Sequence, residues 1–225
     1  MPVLDHAIRA AESLLTGLLD EADPARVRVA WTGGKDSTAV LFLWRAVLDH
    51  HGLGPVRAIT VDTGHKFPEI IAFRDRLALE WGVDLHVARP TGEAADLSVA
   101  SDVVACCRAL KIEPLGRALR ETDTSHLISG IRRDEHPDRS GRAPLEVRHA
   151  PPHVMVNPLL DWTEIDIWAL HAQFDLPHCS LYDLGYRSLG CRPCTAAPGT
   201  GQGERGGRDQ AKERVMRTLT GLGYF

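Results

Sequence analysis

Apolar and polar residues follow two different periods along this chain, and the switches between them mark out the elements. From residue 1 to 22, Leu4, Ile8, Ala11, Leu14, Leu15, Leu18 and Leu19 recur at helical spacing, which predicts an amphipathic helix with a packing stripe. The short apolar run from Val27 to Trp31 predicts a buried strand, and helical spacing resumes at Val40, Leu41, Leu43, Trp44, Val47 and Leu48. Between the two lies Thr32-Gly33-Gly34-Lys35-Asp36-Ser37, so the order is strand, tight glycine turn, helix opening at Ser37. His50-His51-Gly52 marks the end of that helix. Val56 to Val61 predicts a second strand, Ile70 to Trp81 a helix, Val83 to Val87 a third strand, and His126 to Ser129 a fourth. Arg89-Pro90 leads into a polar, irregular stretch, and residues 136 to 152, rich in Pro, Arg and His, predict a mobile loop. Val154 to Leu160 reads as a strand, followed by a helix that Thr163 and Asp166 cap at capping-box spacing, with Trp162 and Trp168 expected in the core.

Strands alternating with helices predict an α/β fold: an open, mostly parallel twisted sheet with helices on both faces. One domain over residues 1–225 is expected, with a C-terminal cysteine-containing segment from about residue 177 to 225. Its length and 44% hydrophobic content suffice to bury one core. The net charge of −4 gives no general attraction to nucleic acid, leaving only a local basic face for such a partner. No run approaches the roughly 18 apolar residues of a membrane span. Asp5 and Glu12 make the N-terminus unlike a signal peptide, so a soluble, cytoplasmic protein is expected. Five cysteines without an export signal argue against a disulfide framework and towards metal or redox chemistry.

In an open parallel sheet, ligands bind outside the carboxyl ends of the strands, and that is where the chemistry-bearing residues fall. In the 32–37 turn, adjacent glycines let backbone N–H groups approach a polyanion, and the helix that follows presents its positive end. The spacing is not the Walker form, which needs four residues between its first glycine and Gly-Lys-Ser/Thr. Asp62-Thr63-Gly64 follows the second strand. Gly130-Ile131-Arg132-Arg133-Asp134-Glu135 follows the fourth, and arginine forks suit bidentate phosphate or sulfate recognition. Adjacent Cys106 and Cys107 point in different directions, and a vicinal disulfide would be strained. Cys191-Arg-Pro-Cys194 brings two thiolates within reach of one centre, to which the first pair can add two more, as zinc or an iron-sulfur cluster would require. Cys179 has no such partner and reads as an ordinary thiol or a substitute ligand.

The loop resembles the Ser-Gly-Gly-x-Asp-Ser turn of PP-loop ATP pyrophosphatases, with Thr32 in place of the first serine. Asp62-Thr63-Gly64 with Phe67-Pro68-Glu69 resembles the matching segment of adenylylsulfate and phosphoadenylylsulfate (PAPS) reductases. Cys106-Cys107 with Lys111-Ile-Glu113-Pro114-Leu115, and Gly185-Tyr186-Arg-Ser188-Leu-Gly190-Cys191-Arg-Pro-Cys194-Thr195, resemble the ligand set of the iron-sulfur members. Lys66-Phe67, Phe73-Arg74-Asp75 and the closing Gly223-Tyr224-Phe225 resemble the sulfate adenylyltransferase small subunit instead. The resemblance runs from about residue 27 to the end. It implies an adenine nucleotide alpha hydrolase-like fold in which Gly33, Gly34 and Ser37 cradle pyrophosphate beside Thr32. Lys35 would neutralise it, Asp36 would help hold Mg²⁺, and Asp62, Thr63, Gly64 and Gly130 would line the nucleotide pocket. Arg132 and Arg133 would stabilise the departing pyrophosphate, and Arg205 and Arg208 would bind an anion. Cys106, Cys107, Cys191 and Cys194 would hold a 4Fe-4S cluster.

The implied function is an ATP pyrophosphatase that adenylylates an acceptor for sulfur incorporation, as in DNA phosphorothioation or thiolation. Its cofactors would be ATP, Mg²⁺ and the cluster. Its partners would be a sulfur donor such as a cysteine desulfurase or other subunits, with a nucleic-acid acceptor or oligomer compatible and no membrane. Three other readings compete. A sulfonucleotide reductase explains the cysteines, but the mobile Glu-Cys-Gly-Leu segment of that family has no counterpart after Cys194. A sulfate adenylyltransferase small subunit explains the loop and terminus but not the cysteine quartet. A nucleotide-sensing subunit would bind ATP without turnover.

Overall fold

The computed structural model describes residues 2–92, 102–199 and 202–224, without the side chains of Pro2 and Val3. Most of the irregular stretch expected after Pro90, and Phe225 of the closing motif, lie outside the described residues. Helix α1 (Pro2–Glu21) precedes β1 (Val27–Ala30), α2 (Lys35–His50), β2 (Arg57–Val61), α3 (Pro68–Glu80) and β3 (Asp84–Ala88). Next come α4 (Val103–Cys107), a π-helical turn (Arg108–Ile112), α5 (Glu113–Glu121) and β4 (His126–Ile128). The chain continues through β5 (Leu145–His149), β6 (Pro152–Val156), α6 (Glu164–Gln173), α7 (Gln210–Arg214) and α8 (Met216–Gly221). The sheet order is β3-β2-β1-β4-β6-β5, parallel throughout except for the β5–β6 pair.

Strand alternation divides the core between the two faces of this sheet. Val27, Val29, Ala58, Ile128 and Val156 face the larger side, with apolar residues of α1, α2, α3 and α6. Their chain neighbours Ala30, Ile59, Leu127 and Met155 face the other, against Leu115, Ala118 and Leu119 of α5, spaced as one stripe of a helix. The open sheet with helices on both faces is the architecture the alternating pattern implied.

Helix α2 opens at Lys35, two residues before the expected Ser37, with Gly34 as its N-cap. The region 136–152, expected to be a loop, contains a short 3-10 turn (Pro137–Arg139) and the edge strand β5. Its polarity is inverted: Leu145 and Val147 face solvent, while Glu146 accepts from Arg142 and Arg148 at 2.6 and 2.8 Å on the half-buried side. Trp162 is buried as expected, whereas Trp168 is only partly buried.

From β1 the chain proceeds to β2 and β3 on one side, then returns to β4 on the other. The carboxyl ends of β1 and β4 therefore flank the crevice where such sheets take ligands. Gly130, just beyond β4, meets the start of α2 there: a Cβ on it would lie 2.8 Å from the Asp36 carbonyl carbon and oxygen and 2.9 Å from the Ser37 nitrogen. Only a residue without a side chain permits that approach. None of the described helices is long and apolar enough to cross a membrane.

Candidate nucleotide site

The turn after β1 is held by its own side chains. Gly33 takes φ +80°, a left-handed conformation that glycine adopts without strain. Ser37 Oγ donates to the Gly34 carbonyl at 3.0 Å and accepts from the Thr32 amide at 3.2 Å, while Thr32 Oγ1 accepts from the Gly34 amide at 3.3 Å. The Lys35 amide donates to the Tyr182 hydroxyl at 2.8 Å, and the Lys35 carbonyl faces His171 Nε2 at 3.0 Å.

The Lys35 side chain is fully buried. Its ammonium donates to Asp36 Oδ2 at 3.1 Å, to the Arg187 carbonyl at 3.0 Å and to Glu204 Oε1 at 2.5 Å, with Glu164 at 4.0 Å. Arg132, equally buried, donates to Asp36 Oδ1 at 2.6 Å and to both Glu204 oxygens at 2.7 and 2.6 Å. Burial alone would lower the Lys35 and Arg132 pKa values, but the surrounding carboxylates hold both above their ordinary ranges. Burial would raise Asp36, yet Lys35 and Arg132 bring it below the usual carboxylate value. Glu204 goes the other way: burial and the nearby Asp36 and Glu135 charges raise it despite Lys35 and Arg132. Oxygens of Asp36, Glu135 and Glu204 lie within 4.8 Å of one another.

The open side of the loop forms one cleft with two lobes. A cavity of about 110 Å³ is walled by Thr32, Gly34, Asp36, Ser37, Gly130, Tyr182, Arg139, Arg205 and Arg208. A second, of about 120 Å³, has apolar walls from Ala30, Ile59, Val61, Ile112, Leu115 and Leu189, with Thr63, Lys66, Lys111, Arg208 and Tyr224 around them. Both lobes share Ala30, Thr32, Leu189, Arg208 and Tyr224. Arg208 is 5% exposed, and its Nε and Nη1 have no hydrogen-bond partner among the described residues. Gly190 makes its placement possible, because a Cβ there would collide with the guanidinium. Arg205 bonds Glu213 at 2.7 and 2.8 Å and lies 3.7 Å from Glu135.

The expected residues therefore separate into groups. Thr32, Gly34, Asp36, Ser37, Gly130, Arg205 and Arg208 line the loop lobe, and Thr63 lines the apolar one. Lys35 and Arg132 sit in the ionic network beside the loop rather than on the cavity wall. Arg133 is not brought to the cleft: it binds Asp161 and donates to the Arg142 carbonyl at 2.7 Å. Asp62 is engaged in its own turn, accepting from the Gly64 amide at 3.1 Å, with Arg89 at 3.5 Å. Glu135, Tyr182, Glu204, Lys212 and Tyr224 carried no role in the sequence reading. The signal for Glu204 was a single acid next to Arg205 in a glycine-rich run.

All five thiols are free, and Cys107 and Cys191 are buried. Thr63 Oγ1 lies 3.3 Å from Cys191 Sγ. Burial would raise the Cys191 thiol, but Lys111, the Thr63 hydrogen bond, Lys212 and Lys66 bring it below its ordinary value. Lys111 also feels Cys107, and Lys212 feels Cys107 and Cys194, so Cys107, Cys191, Cys194 and these cations share one neighbourhood. A tetrahedral zinc with bonds of about 2.3 Å holds its sulfurs roughly 3.8 Å apart. Among the described residues, no three thiols lie within 4.8 Å of one another. The donor set, with buried lysines beside it, fits an anionic thiolate-ligated cluster. Cys179 lies apart in the larger core, where burial raises its thiol pKa.

Fold and site together define an α/β protein of PP-loop architecture, with the loop at the switch point of its sheet. The sequence model of the phosphoadenosine phosphosulfate reductase domain matches residues 26–197, and the chain belongs to that family. It is 33% identical over 165 residues to an adenosine 5'-phosphosulfate reductase of Burkholderia cepacia, covering 68% of this chain and 65% of that one. It is 39% identical over 163 residues to one of Deinococcus radiodurans, covering 70% and 63%. The matches thus span just under two thirds of these curated relatives.

Solved structures agree on the fold. The Candida auris PAPS reductase in a phosphate complex superposes with TM-score 0.68 at 21% identity, covering 86% of this chain and 96% of that one. The Candida glabrata FMN adenylyltransferase with FMN and the ATP analogue AMPCPP gives 0.74 at 21%, covering 87% and 66%. The Methanococcus maripaludis U34-tRNA thiolase NcsA, with its [4Fe-4S] cluster, gives 0.57 at 14%, covering 97% and 76%.

Proposed function

We propose that this chain binds Mg-ATP across the two-lobed cleft and transfers AMP to an acceptor during sulfur incorporation. The observation that carries the reading is the continuity of an apolar, purine-sized slot with a loop lobe at the N-terminus of α2. The purine would occupy the slot, and the phosphates would run past Thr32 towards Ser37. Three carboxylates beside the loop disfavour a bare polyanion and suit one accompanied by a divalent cation, which separates ATP from a sulfonucleotide. Asp36, Glu135 and Glu204 would hold Mg²⁺, which would supply charge neutralisation to the phosphates.

The acceptor oxygen forms a bond to the α phosphorus, the bond from that phosphorus to the bridging oxygen breaks, and its electron pair leaves with pyrophosphate. Arg139, Arg205 and Arg208 face the lobe where negative charge accumulates. Arg132 and Lys35 act from behind, fixing Asp36 and Glu204. A 4Fe-4S cluster would be held by Cys106, Cys107, Cys191 and Cys194, with its charge balanced by Lys66, Lys111 and Lys212.

A second reading, reduction of a sulfonucleotide, draws support from Lys66, Lys111 and Arg208, which bring positive charge to the slot beside Cys191. Anaerobic calorimetry with Mg-ATP, adenylylsulfate and phosphoadenylylsulfate separates the two. Preference for Mg-ATP is the expected result, and preference for either sulfonucleotide overturns the proposal in favour of reduction.

A further inference from the structure

We propose that the Tyr182 hydroxyl is an anion donor of the loop: it fixes the Lys35 amide and donates a hydrogen bond to the phosphate chain in the loop lobe. The inference rests on the reading of that lobe as the phosphate site. The first amides of a helix have no partner within it and ordinarily face the bound anion. Here the Lys35 amide, at the first position of α2, already donates to Tyr182 at 2.8 Å. A phenol offers one proton and accepts through its lone pairs. With a lone pair engaged by Lys35, the Tyr182 proton has no acceptor among the described residues. The side chain nonetheless lines the loop lobe with Gly34, Ser37 and Arg205, and a Cβ on Gly34 would lie 3.4 Å from its hydroxyl oxygen.

The ring is held independently of any ligand. It meets Trp168 edge-on at 5.3 Å, and Trp168 lies 5.4 Å from His171, whose Nε2 faces the Lys35 carbonyl. One aromatic cluster thus grips both polar groups of the Lys35 residue's backbone. Burial raises the Tyr182 pKa well above its ordinary value despite the opposing Lys35 charge, so the phenol keeps its proton at neutral pH. Phosphate oxygens would then meet a pre-oriented O–H where the helix would otherwise offer its first amide.

The probe is magnesium pyrophosphate, titrated by anaerobic calorimetry into the full-length protein, Tyr182→Phe and Tyr186→Phe. Tyr186 packs on Phe67 at 5.5 Å and serves as the control. Tyr182→Phe should weaken binding roughly tenfold, the effect of one hydrogen bond to a charged group, with Tyr186→Phe unchanged. Equal or tighter binding by Tyr182→Phe overturns the inference, because the phenol would then only cap an amide that serves the anion better when released. Absence of pyrophosphate binding by the unaltered protein instead removes the reading of the lobe on which the inference depends. If Tyr182→Phe does not fold, the three tyrosines can be replaced by 3-fluorotyrosine. The ¹⁹F signal of Tyr182, assigned by elimination in Tyr186→Phe and Tyr224→Phe, should move on saturation with pyrophosphate. An unmoved signal overturns the inference.

Discussion

Replacing Gly130 by alanine tests the joint between β4 and the loop helix. The new methyl would lie 2.8 Å from the Asp36 carbonyl carbon and oxygen, where ordinary contact begins at 3.4 Å. The shortfall of 0.6 Å falls on backbone atoms, so no side chain can rotate away and the start of α2 has to shift. Overpacking of this kind costs about 1–3 kcal/mol, or roughly 2–4 °C of melting temperature per kcal/mol in a chain of this size. Gly116→Ala is the control: its methyl would meet only Pro151 Cδ at 3.6 Å and Arg120 Nη1 at 3.8 Å, inside α5. There alanine should stabilise by about 0.5–1 kcal/mol through helix propensity. Scanning calorimetry should show the two variants moving in opposite directions, and Mg-ATP affinity should fall at least tenfold in Gly130→Ala alone. An unchanged melting temperature and affinity in Gly130→Ala would refute the close approach of β4 to the loop.

Three further outcomes are expected. Glu204→Gln removes a negative charge from beside the loop lobe, so affinity for magnesium-free pyrophosphate should rise and its dependence on magnesium weaken; calorimetry with and without chelator checks this. Burial lowers the pKa values of His126, His153 and His171 from 6.5. The unfolded chain then binds more protons below about pH 6.5, so their contribution to stability is complete above that pH and declines as pH falls through the folded values. Urea midpoints should drop from pH 7.5 to 5.5, and His171→Gln should flatten the slope; an equal slope in that variant refutes the role of His171. Cys194→Ser should lose iron from anaerobically prepared protein, whereas unchanged iron content would remove Cys194 from the ligand set.

Much of the fold was legible because its central strands are rich in buried apolar residues and are followed by turn or helix signals. The edge strand β5 escaped because Leu145 and Val147 face outward, and its half-buried side is satisfied by Glu146 with two arginines. The loop motif announced the site itself. Arg132 and Arg133 looked equivalent in sequence, but Arg132 adopts extended backbone, φ −130° and ψ 146°, and the two side chains find partners in different directions. Glu204 was hidden for another reason. It contacts Lys35 across 169 residues from a glycine-rich turn, and no local periodicity encodes such a pairing.

That same pairing has a consequence for how the protein comes into being. A ribosome makes the loop and its buried lysine long before it makes Glu204, Arg205 and Arg208. The emerging chain therefore carries two desolvation-sensitive cations, Lys35 and Arg132, with Asp36 but without Glu204, their second shared counter-ion. The sheet can assemble from local β-α units at that stage, but the ionic network closes only when the tail returns across the carboxyl ends of the strands. The charge balance around the loop is thus completed only after residue 204 is made, and a nascent chain arrested before it would display a formed loop with that balance unfinished.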